Sequence, residues 1–286
     1  MNLDSVLFLK IEAPNYSSAG IQQAFIDNGF EIETVNWQQE KFNYGMKGLK
    51  ELTLARVRNM KPKSPDIVFI HANTPTPAHH PSVLDIEFIK ELMKYSFVIN
   101  YTFDVRENID CHINIAPHTG LILFSNMTDV KKMKSLGFDN VDYLQTSADH
   151  NLFQKVPRGT EGHDIVFIGN NFTNTNLKFD LAQERSDMVA FLWKHYPRKF
   201  KPFGMGWNTH IVNSPQDQKE IYNSCKIAIS HNQFDYELYT SDRLFRTMMC
   251  GAFCITKYFE GIEAMFNISE HLVTYRTMDE LKIKID

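Results

Sequence analysis

The sequence predicts an α/β protein of two doubly wound, Rossmann-like domains that face each other across a cleft. Three observations lead to this prediction. Short apolar runs of strand length recur along the chain, amphipathic segments of helical spacing separate them, and a polar stretch with glycine and proline lies near the middle. Apolar strands alternating with amphipathic helices are typical of parallel sheets that helices cover on both faces.

In the first half, helix start and stop signals separate the apolar runs. Ser17 and Ser18 precede a helical pattern that stops at Gly29, and Gly137 ends the last helical pattern of this half. Strands are predicted at residues 5–11, 30–37, 66–73, 96–103, 120–126 and 140–149, and helices at residues 17–29, 45–60, 85–95 and 128–137.

The second half repeats this alternation. Strands are predicted at residues 163–171, 199–207, 226–232, 252–258 and 271–276, and helices at residues 186–196, 214–225, 241–251, 261–266 and 278–286. Pro157, Gly159 and Gly162 lie in the polar stretch between the halves, where a linker is expected. We therefore predict an N-terminal domain over residues 1–155 and a C-terminal domain over residues 163–286.

Composition limits the classes of function. The net charge of −4 argues against a protein whose affinity comes from a broad basic face on nucleic acid. The four cysteines show no CxxC spacing and lie in or beside apolar segments, which favours reduced core residues. We see no signal peptide and no apolar run long enough to span a membrane, so a soluble cytoplasmic protein is expected.

Glycines and side-chain amides follow two strands of the second half. Gly169, Asn170 and Asn171 come directly after the apolar run "DIVFI", and "FGMGW", residues 203–207, ends the next predicted strand. Glycine permits close backbone approach to a ligand, and the amides offer hydrogen bonds. Neither segment is a Walker loop or a complete GxGxxG, so each alone is a weak signal.

The helix predicted from Ser241 is a stronger candidate for an anion site. Its first backbone amides lack intrahelical acceptors and its dipole is positive at that end. Arg243 lies in the first turn, where a cation opposes the dipole unless an anion compensates. A diphosphate would satisfy both the helix end and the guanidinium. The alternative is an ion pair between Arg243 and Asp235, Asp242 or Glu237.

The stretch "SDRLFRTMMCGAFCITKYFEGIEAMFNISEHLVTYRTMDEL" resembles the C-terminal signature of GT-B glycosyltransferases of the group 1 type. Within this group it looks most like the CgeB-like (spore maturation protein) branch. "DIVFIGN", "FGMGW" and "IYNSCKIAISHN" extend the likeness in the same order over most of residues 163–286, whereas over residues 1–150 the likeness is only architectural.

The resemblance implies a metal-independent hexosyl- or pentosyltransferase that needs no cofactor. It would use a nucleotide-diphosphate sugar, favoured as a UDP-sugar, as the donor substrate. Donor contacts are implied for Gly169 and Asn170 at the phosphates or sugar, Gly206 and Trp207 beside the nucleotide, His231 and Asn232 at the base or ribose, and Ser241, Asp242 and Arg243 at the diphosphate.

Arg246 departs from the pattern that this resemblance implies. Many group 1 enzymes have a glutamate before the cysteine-glycine turn, and its carboxylate accepts hydrogen bonds from ribose hydroxyls. An arginine cannot accept a hydrogen bond. Either Asp242 or Glu237 holds the ribose instead, or Arg246 adds positive charge beside the phosphates, or donor binding is lost.

The first half offers candidate residues for the acceptor side, but no motif. Asp104 follows a predicted strand and is the first choice as base or acceptor-binding acid, with His71 the second. Ser18, in the loop after the first strand, is a third polar candidate. His79 and His80 have no further ligand at recognisable spacing, so no essential metal is expected, and helix amides with arginine would stabilise the departing diphosphate.

Three functions follow from these observations. The leading hypothesis is a glycosyltransferase that moves a sugar from a UDP-sugar to a hydroxyl of a glycan, small molecule or protein. The second keeps the fold but takes hydroxymethylated bases in DNA as acceptor, with Lys131, Lys132 and Lys134 gripping the duplex. The third is an inactive sugar-nucleotide-binding module, a hypothesis that Arg246 and the short tail after the signature leave open.

Overall fold

In a computed structural model, the chain divides into two compact units, Met1–Gln145 and Thr146–Asp286. The structure describes residues 4–13, 16–60, 64–71, 83–102, 109–157, 162–174, 179–207, 209, 211–212 and 214–286. In these ranges no helix combines the length and the apolar composition that crossing a bilayer requires.

The first unit contains a six-stranded sheet in which all neighbouring strands run parallel. The strands of this unit are β1 (Ser5–Lys10), β2 (Glu12–Ala13), β3 (Tyr16–Ser17), β4 (Glu31–Asn36), β5 (Ile67–His71), β6 (Phe97–Thr102), β7 (Leu121–Phe124) and β8 (Val141–Tyr143). The sheet order is β4-β1-β5-β6-β7-β8, and β2 and β3 form a separate antiparallel pair. The helices are α1 (Ala19–Asp27), α2 (Trp37–Asn59), α3 (Ile86–Met93), α4 (Asp110–Ile115) and α5 (Met127–Ser135), with a 3-10 turn at Ala116–His118.

Alternating residues of β1 show that this sheet is covered on both faces. Leu7 and Leu9 pack into one core with side chains of α2, α3 and α5. Val6 and Phe8 pack into a second core with Phe25 of α1. Because successive side chains of a strand point to opposite faces, a strand buried on both sides reads as a continuous apolar run.

The second unit contains a five-stranded parallel sheet of order β10-β9-β11-β12-β13. Its strands are β9 (His163–Ile168), β10 (Phe200–Phe203), β11 (Cys225–Ser230), β12 (Phe253–Lys257) and β13 (Val273–Tyr275). Its helices are α6 (Ala182–His195), α7 (Pro215–Ser224), α8 (Asp242–Met249), α9 (Ile262–Met265) and α10 (Met278–Ile285). Ile165 and Phe167 pack with α6 and α10, and Val166 and Ile168 pack with α7. The predicted α/β class, with two parallel sheets and interleaved helices, is confirmed.

The two units divide between Gln145 and Thr146, ten residues before the predicted end of the N-terminal domain at residue 155. Phe153 is the reason, because its buried ring joins a core of the second unit. The Val156 amide also donates to Asn223 Oδ1 at 2.7 Å, on α7. Residues 146–157 therefore pack as part of the second unit.

Two helices begin earlier than the sequence pattern indicated. α2 starts at Trp37, capped by Asn36, and the chain leaves helical geometry only at Gly45, where φ is 68°. The glycine predicted as the helix start is thus a kink inside a longer helix. α6 starts at Ala182 and includes Glu184 and Arg185 in its first turn. These two residues are important for the candidate site.

Candidate functional site

The strand order of the second sheet reverses between β9 and β11. The chain passes from β9 to β10 on one side and then returns to the other side of β9 as β11. In open α/β sheets the loops at such a reversal diverge and leave a crevice at the carboxyl ends of the strands, where ligands bind. The predicted donor-binding residues lie on the loops after β9, β10 and β11 and at the start of α8.

The loop after β9 is joined by hydrogen bonds to the loop after β10. The amides of Gly169 and Asn171 donate to the carbonyls of Phe203 and Met205, each at 2.9 Å. In return, the Met205 amide donates to Asn170 Oδ1 at 3.0 Å. The two predicted loops are therefore one connected structure, and the Asn170 side chain is part of that connection.

Glycines and a buried tryptophan fix this pair of loops. At Gly204, where φ is 134°, a Cβ would lie 2.4 Å from Gly169 O, so only glycine allows this approach. Trp207, predicted to border the nucleotide, is only 5% exposed. Its Nε1 donates to Gly169 O at 2.5 Å, and its ring packs against Phe167. Gly206 turns the chain into Trp207 with a φ of 82°. Trp207 thus supports the glycine loop from within the core.

The loop after β11 is organised by Asn232. Its Nδ2 donates to Tyr239 O at 2.8 Å, and its Oδ1 accepts from Thr240 Oγ1 at 3.2 Å and from the Ser241 amide at 3.4 Å. His231 is buried, and its Nδ1 donates to Asn232 O at 2.9 Å, because a carbonyl oxygen can only accept. Asn232 therefore connects the end of β11 to the start of α8.

The first turn of α8 has a positive electrostatic potential, because the helix dipole is positive at this end and Arg243 adds its charge. Ser241 occupies the N-cap position in an extended conformation, but its side chain makes no capping hydrogen bond. Arg243 lies in this first turn and is half-buried. Among the residues that the structure describes, its guanidinium has no hydrogen-bond or ion-pair partner. The ion pairs considered as alternatives, with Asp235, Asp242 or Glu237, are thus not formed.

Arg246 occupies a structural position in the unit. Its guanidinium binds Asp242 Oδ2 at 2.5 Å and Gln218 Oε1 at 2.7 Å, and it lies over the Phe153 ring at 4.9 Å. Asp242 and Arg246 are four residues apart on α8, which is the spacing at which helical side chains meet. The Asp242 carboxylate, predicted to help hold the donor, is therefore occupied by Arg246.

Arg185 was missed by the sequence analysis and joins the two loops at the strand reversal. It is 2% exposed, and its Nη2 donates to His231 O at 2.5 Å while Nη1 donates to Asn170 O at 3.4 Å. Burial, and then the charge of Arg243, lower the pKa of Arg185 to about 9. Both guanidinium groups thus contribute positive charge to this part of the second unit.

Glu184 and Lys257 form a further part of this edge that the sequence analysis missed. Lys257 Nζ, at the end of β12, forms an ion pair with Glu184 Oε2, and His231 Nε2 lies 3.7 Å from Glu184 Oε1. His231 and Lys257 lower the pKa of Glu184 to about 2, so it is ionised at neutral pH. This carboxylate is thus matched by Lys257 rather than by Arg185 or Arg243.

In the first unit, His71 and Ser18 form a buried pair. Ser18 Oγ donates to Ile11 O at 2.7 Å, and His71 Nδ1 lies 3.0 Å from the same hydroxyl. His71 is fully buried between the rings of Phe8 and Tyr101, and burial lowers its pKa to about 3. A base in this position is neutral at pH 7 and is inaccessible to an acceptor in this conformation.

The remaining candidates of the first unit do not join this pair. Asp104, the first choice as base, lies outside the described residues, as do His79 and His80. Lys131, Lys132 and Lys134 are exposed on α5, the helix that precedes β8. In the described part of the chain, no three acidic, histidine or cysteine side chains are grouped so that they could hold a metal ion.

Comparison with solved structures identifies the fold as that of GT-B glycosyltransferases. The Anabaena protein Alr3699/HepE in complex with UDP-glucose has a TM-score of 0.60, with 10% identity over 98% of this chain and 88% of that one. Sucrose-phosphate synthase from Thermosynechococcus elongatus has a TM-score of 0.58, with 7% identity over 99% and 88%. A glycosyltransferase from Rickettsia africae ESF-5 has a TM-score of 0.56, with 10% identity over 100% and 88%.

Sequence comparison finds a similarity to one family within the second unit. Residues 151–286 match the family described as glycosyl transferase-like. The matched range includes the loops after β9, β10 and β11 and the whole of α8. No curated protein sequence matches the chain. The resemblance to group 1 glycosyltransferases is thus supported for the second unit, and its finer CgeB-like placement stays a prediction.

The close approach of Gly204 to Gly169 O predicts that any side chain at position 204 destabilises the fold. Gly204→Ala places a Cβ against Gly169 O and strains the backbone, so it should lower the free energy of unfolding by roughly 3 kcal/mol. Gly251→Ala is the control in the same unit, because its φ of 72° is strained while its nearest neighbour is the flexible Lys155 side chain. It should cost about 1 kcal/mol. Equal costs in urea unfolding would contradict the role given to Gly204.

The Asp242–Arg246 pair predicts strong coupling in a double-mutant cycle. Arg246→Met leaves a partly buried carboxylate without its partner and should lower the free energy of unfolding by roughly 3 kcal/mol. Adding Asp242→Asn should recover part of that loss, because no charge then remains unpaired. Arg198→Met, at an exposed position, should change stability by less than about 0.5 kcal/mol. Additive effects of the two substitutions would rule out the pairing.

Proposed function

We propose that this chain is a glycosyltransferase that moves a sugar from a UDP-sugar to an acceptor hydroxyl. The observation that carries the proposal is Arg243, a half-buried arginine at the start of α8 without a carboxylate partner among the described residues. A cation in the first turn of a helix is unfavourable unless an anion binds there, because both the dipole and the free amides favour negative charge.

Several further features support a diphosphate as that anion. The glycine loop after β9 offers backbone close to the strand reversal, and Arg185 adds a second positive charge that Arg243 repels. The match of residues 151–286 to the glycosyl transferase-like family favours a nucleotide sugar as the molecule that brings the diphosphate. HepE, whose fold is similar, binds UDP-glucose.

The reaction needs stabilisation of the leaving group above all. The acceptor oxygen forms a bond to the anomeric carbon of the sugar, and the bond from that carbon to the diphosphate oxygen breaks. UDP leaves with the electron pair, and the acceptor hydroxyl gives up its proton to a base. Arg243 and the amides of the α8 start stabilise the negative charge that develops on the departing diphosphate, which requires no metal ion. Asp104 remains the proposed base.

Removal of the Arg243 guanidinium should weaken UDP binding. Arg243→Ala deletes a charge-assisted, bidentate donor, and we expect at least a tenfold rise in the Kd of UDP, which corresponds to about 1.4 kcal/mol. Titration calorimetry with UDP measures the effect. Arg243→Lys keeps the charge without the planar guanidinium, so its Kd for UDP should lie between those of Arg243→Ala and the unaltered chain.

Two controls make this test specific. Uridine lacks the diphosphate, so its affinity should be unchanged in Arg243→Ala. The variant should also keep the melting temperature of the unaltered chain within a few degrees, because the Arg243 guanidinium has no hydrogen-bond or ion-pair partner among the described residues. An unchanged Kd for UDP in Arg243→Ala would remove the central residue of the proposed function.

A further inference from the structure

We infer that Arg185 is a positioning residue for the diphosphate site, which fixes the loops after β9 and β11 through their carbonyls while its own charge stays unneutralised. The inference rests on the proposed function, because it assigns Arg185 to the same anion. It goes further by naming a residue of α6 that holds two loops of the site in place and adds positive electrostatic potential there.

The contacts of Arg185 connect the two sides of the strand reversal. One arm of the guanidinium binds Asn170 O, after β9, and the other binds His231 O, after β11. The peptide that carries Asn170 O is also held from its other end, since the Asn171 amide donates to Met205 O at 2.9 Å. A planar group with two donor arms is suited to bridging two loops, and a lysine could not reach both carbonyls in this way.

The burial of Arg185 is costly without an acid. The side chain is 2% exposed and lies over the Phe167 ring at 5.6 Å, and its Nε has no hydrogen-bond partner among the described atoms. Neutral carbonyls satisfy its N–H groups in part, but they do not cancel its charge. An isolated buried charge is strongly unfavourable, so a structural brace alone would be expected to include a carboxylate.

Two carboxylates on this edge, Glu184 and Asp242, are already matched by other cations. Glu184, the neighbour of Arg185 on α6, forms its ion pair with Lys257. Asp242 forms its ion pair with Arg246. Arg185 and Arg243 have no carboxylate partner among the described residues, and the charge of Arg243 adds to the effect of burial in lowering the pKa of Arg185. A bound anion would relieve the repulsion and neutralise both charges.

The test compares binding of UDP, inorganic pyrophosphate and uridine to the full chain by calorimetry at low and high salt. Arg185→Met keeps the side-chain length and removes the charge and both arms, and Arg185→Lys keeps the charge alone. Arg198→Met is the matched control, because it is the same substitution at an exposed position of the same unit. Melting temperatures of the free variants report any structural loss separately.

We expect Arg185→Met to weaken UDP at least tenfold, with a smaller dependence on salt, and to change uridine less than about twofold. Arg185→Lys should weaken UDP less than the methionine variant, and Arg198→Met should match the unaltered chain. If Arg185→Met does not fold, the lysine variant decides: a loss of UDP affinity with retained uridine affinity supports the inference, and unchanged UDP affinity overturns it.

Two other outcomes distinguish this inference from the proposed function. Equal losses for UDP and uridine would mean that Arg185 only supports the loops, and its role at the diphosphate would be overturned. If the unaltered chain binds pyrophosphate but not UDP, and Arg185→Met abolishes that binding, the role of Arg185 stands and the nucleotide-sugar function falls. Absence of binding of any of these anions to the unaltered chain overturns both.

Discussion

The candidate site depends on an imbalance of charge that the described residues do not correct. Lys257 and Arg246 each meet a carboxylate, Glu184 and Asp242 respectively, at the carboxyl edge of the second sheet. Arg185 and Arg243 lie at the same edge without one. Together with the positive end of α8, these two charges are the basis for proposing that an anion binds at this edge.

Hydrogen bonds that involve no ligand hold the backbone around these charges in place. Gly169 extends the hydrogen bonding between β9 and β10, and Gly204 allows the two loops to touch. Trp207 supports the same loop from the core side. Asn232 connects the end of β11 to the start of α8. A site built in this way requires little ordering when a ligand binds, which favours both affinity and electrostatic stabilisation of a leaving group.

Much of this architecture could be predicted from the sequence because the signals are local. Continuous apolar runs identified the buried parallel strands, and the polar residues that directly follow them identified the loops of the edge. The helix boundary predicted at Gly45 was wrong, since a glycine is equally compatible with a helix boundary and with a kink within one long helix. Asp104 remains a prediction, because it lies outside the described residues.

The pairing of charges was harder to predict, although the pattern contained part of the answer. Arg185 lies at i, with Met188, Val189 and Leu192 at i+3, i+4 and i+7 of α6, so it occupies the buried face of that helix. The predicted helix began at residue 186, one residue after Arg185, so Arg185 was left out of this pattern. Helical spacing similarly favours an ion pair between Asp242 and Arg246, which are four residues apart. An ion pair between Asp242 and Arg243 is disfavoured, because adjacent helical residues do not face each other.

Helix geometry therefore indicates which arginine pairs with Asp242. The free-energy cost of burying the Arg185 charge could be recognised only from the packing of the folded unit. A methionine at position 185 would continue the apolar stripe of α6 without the cost of burying a charge, so the packing of the helix does not itself require an arginine. The cost falls when an anion occupies the site, since any ligand that binds only the folded chain adds its binding free energy to the stability. Arg185 is thus the residue whose charge a diphosphate would satisfy, and this separates it from Arg246, whose charge the protein neutralises itself.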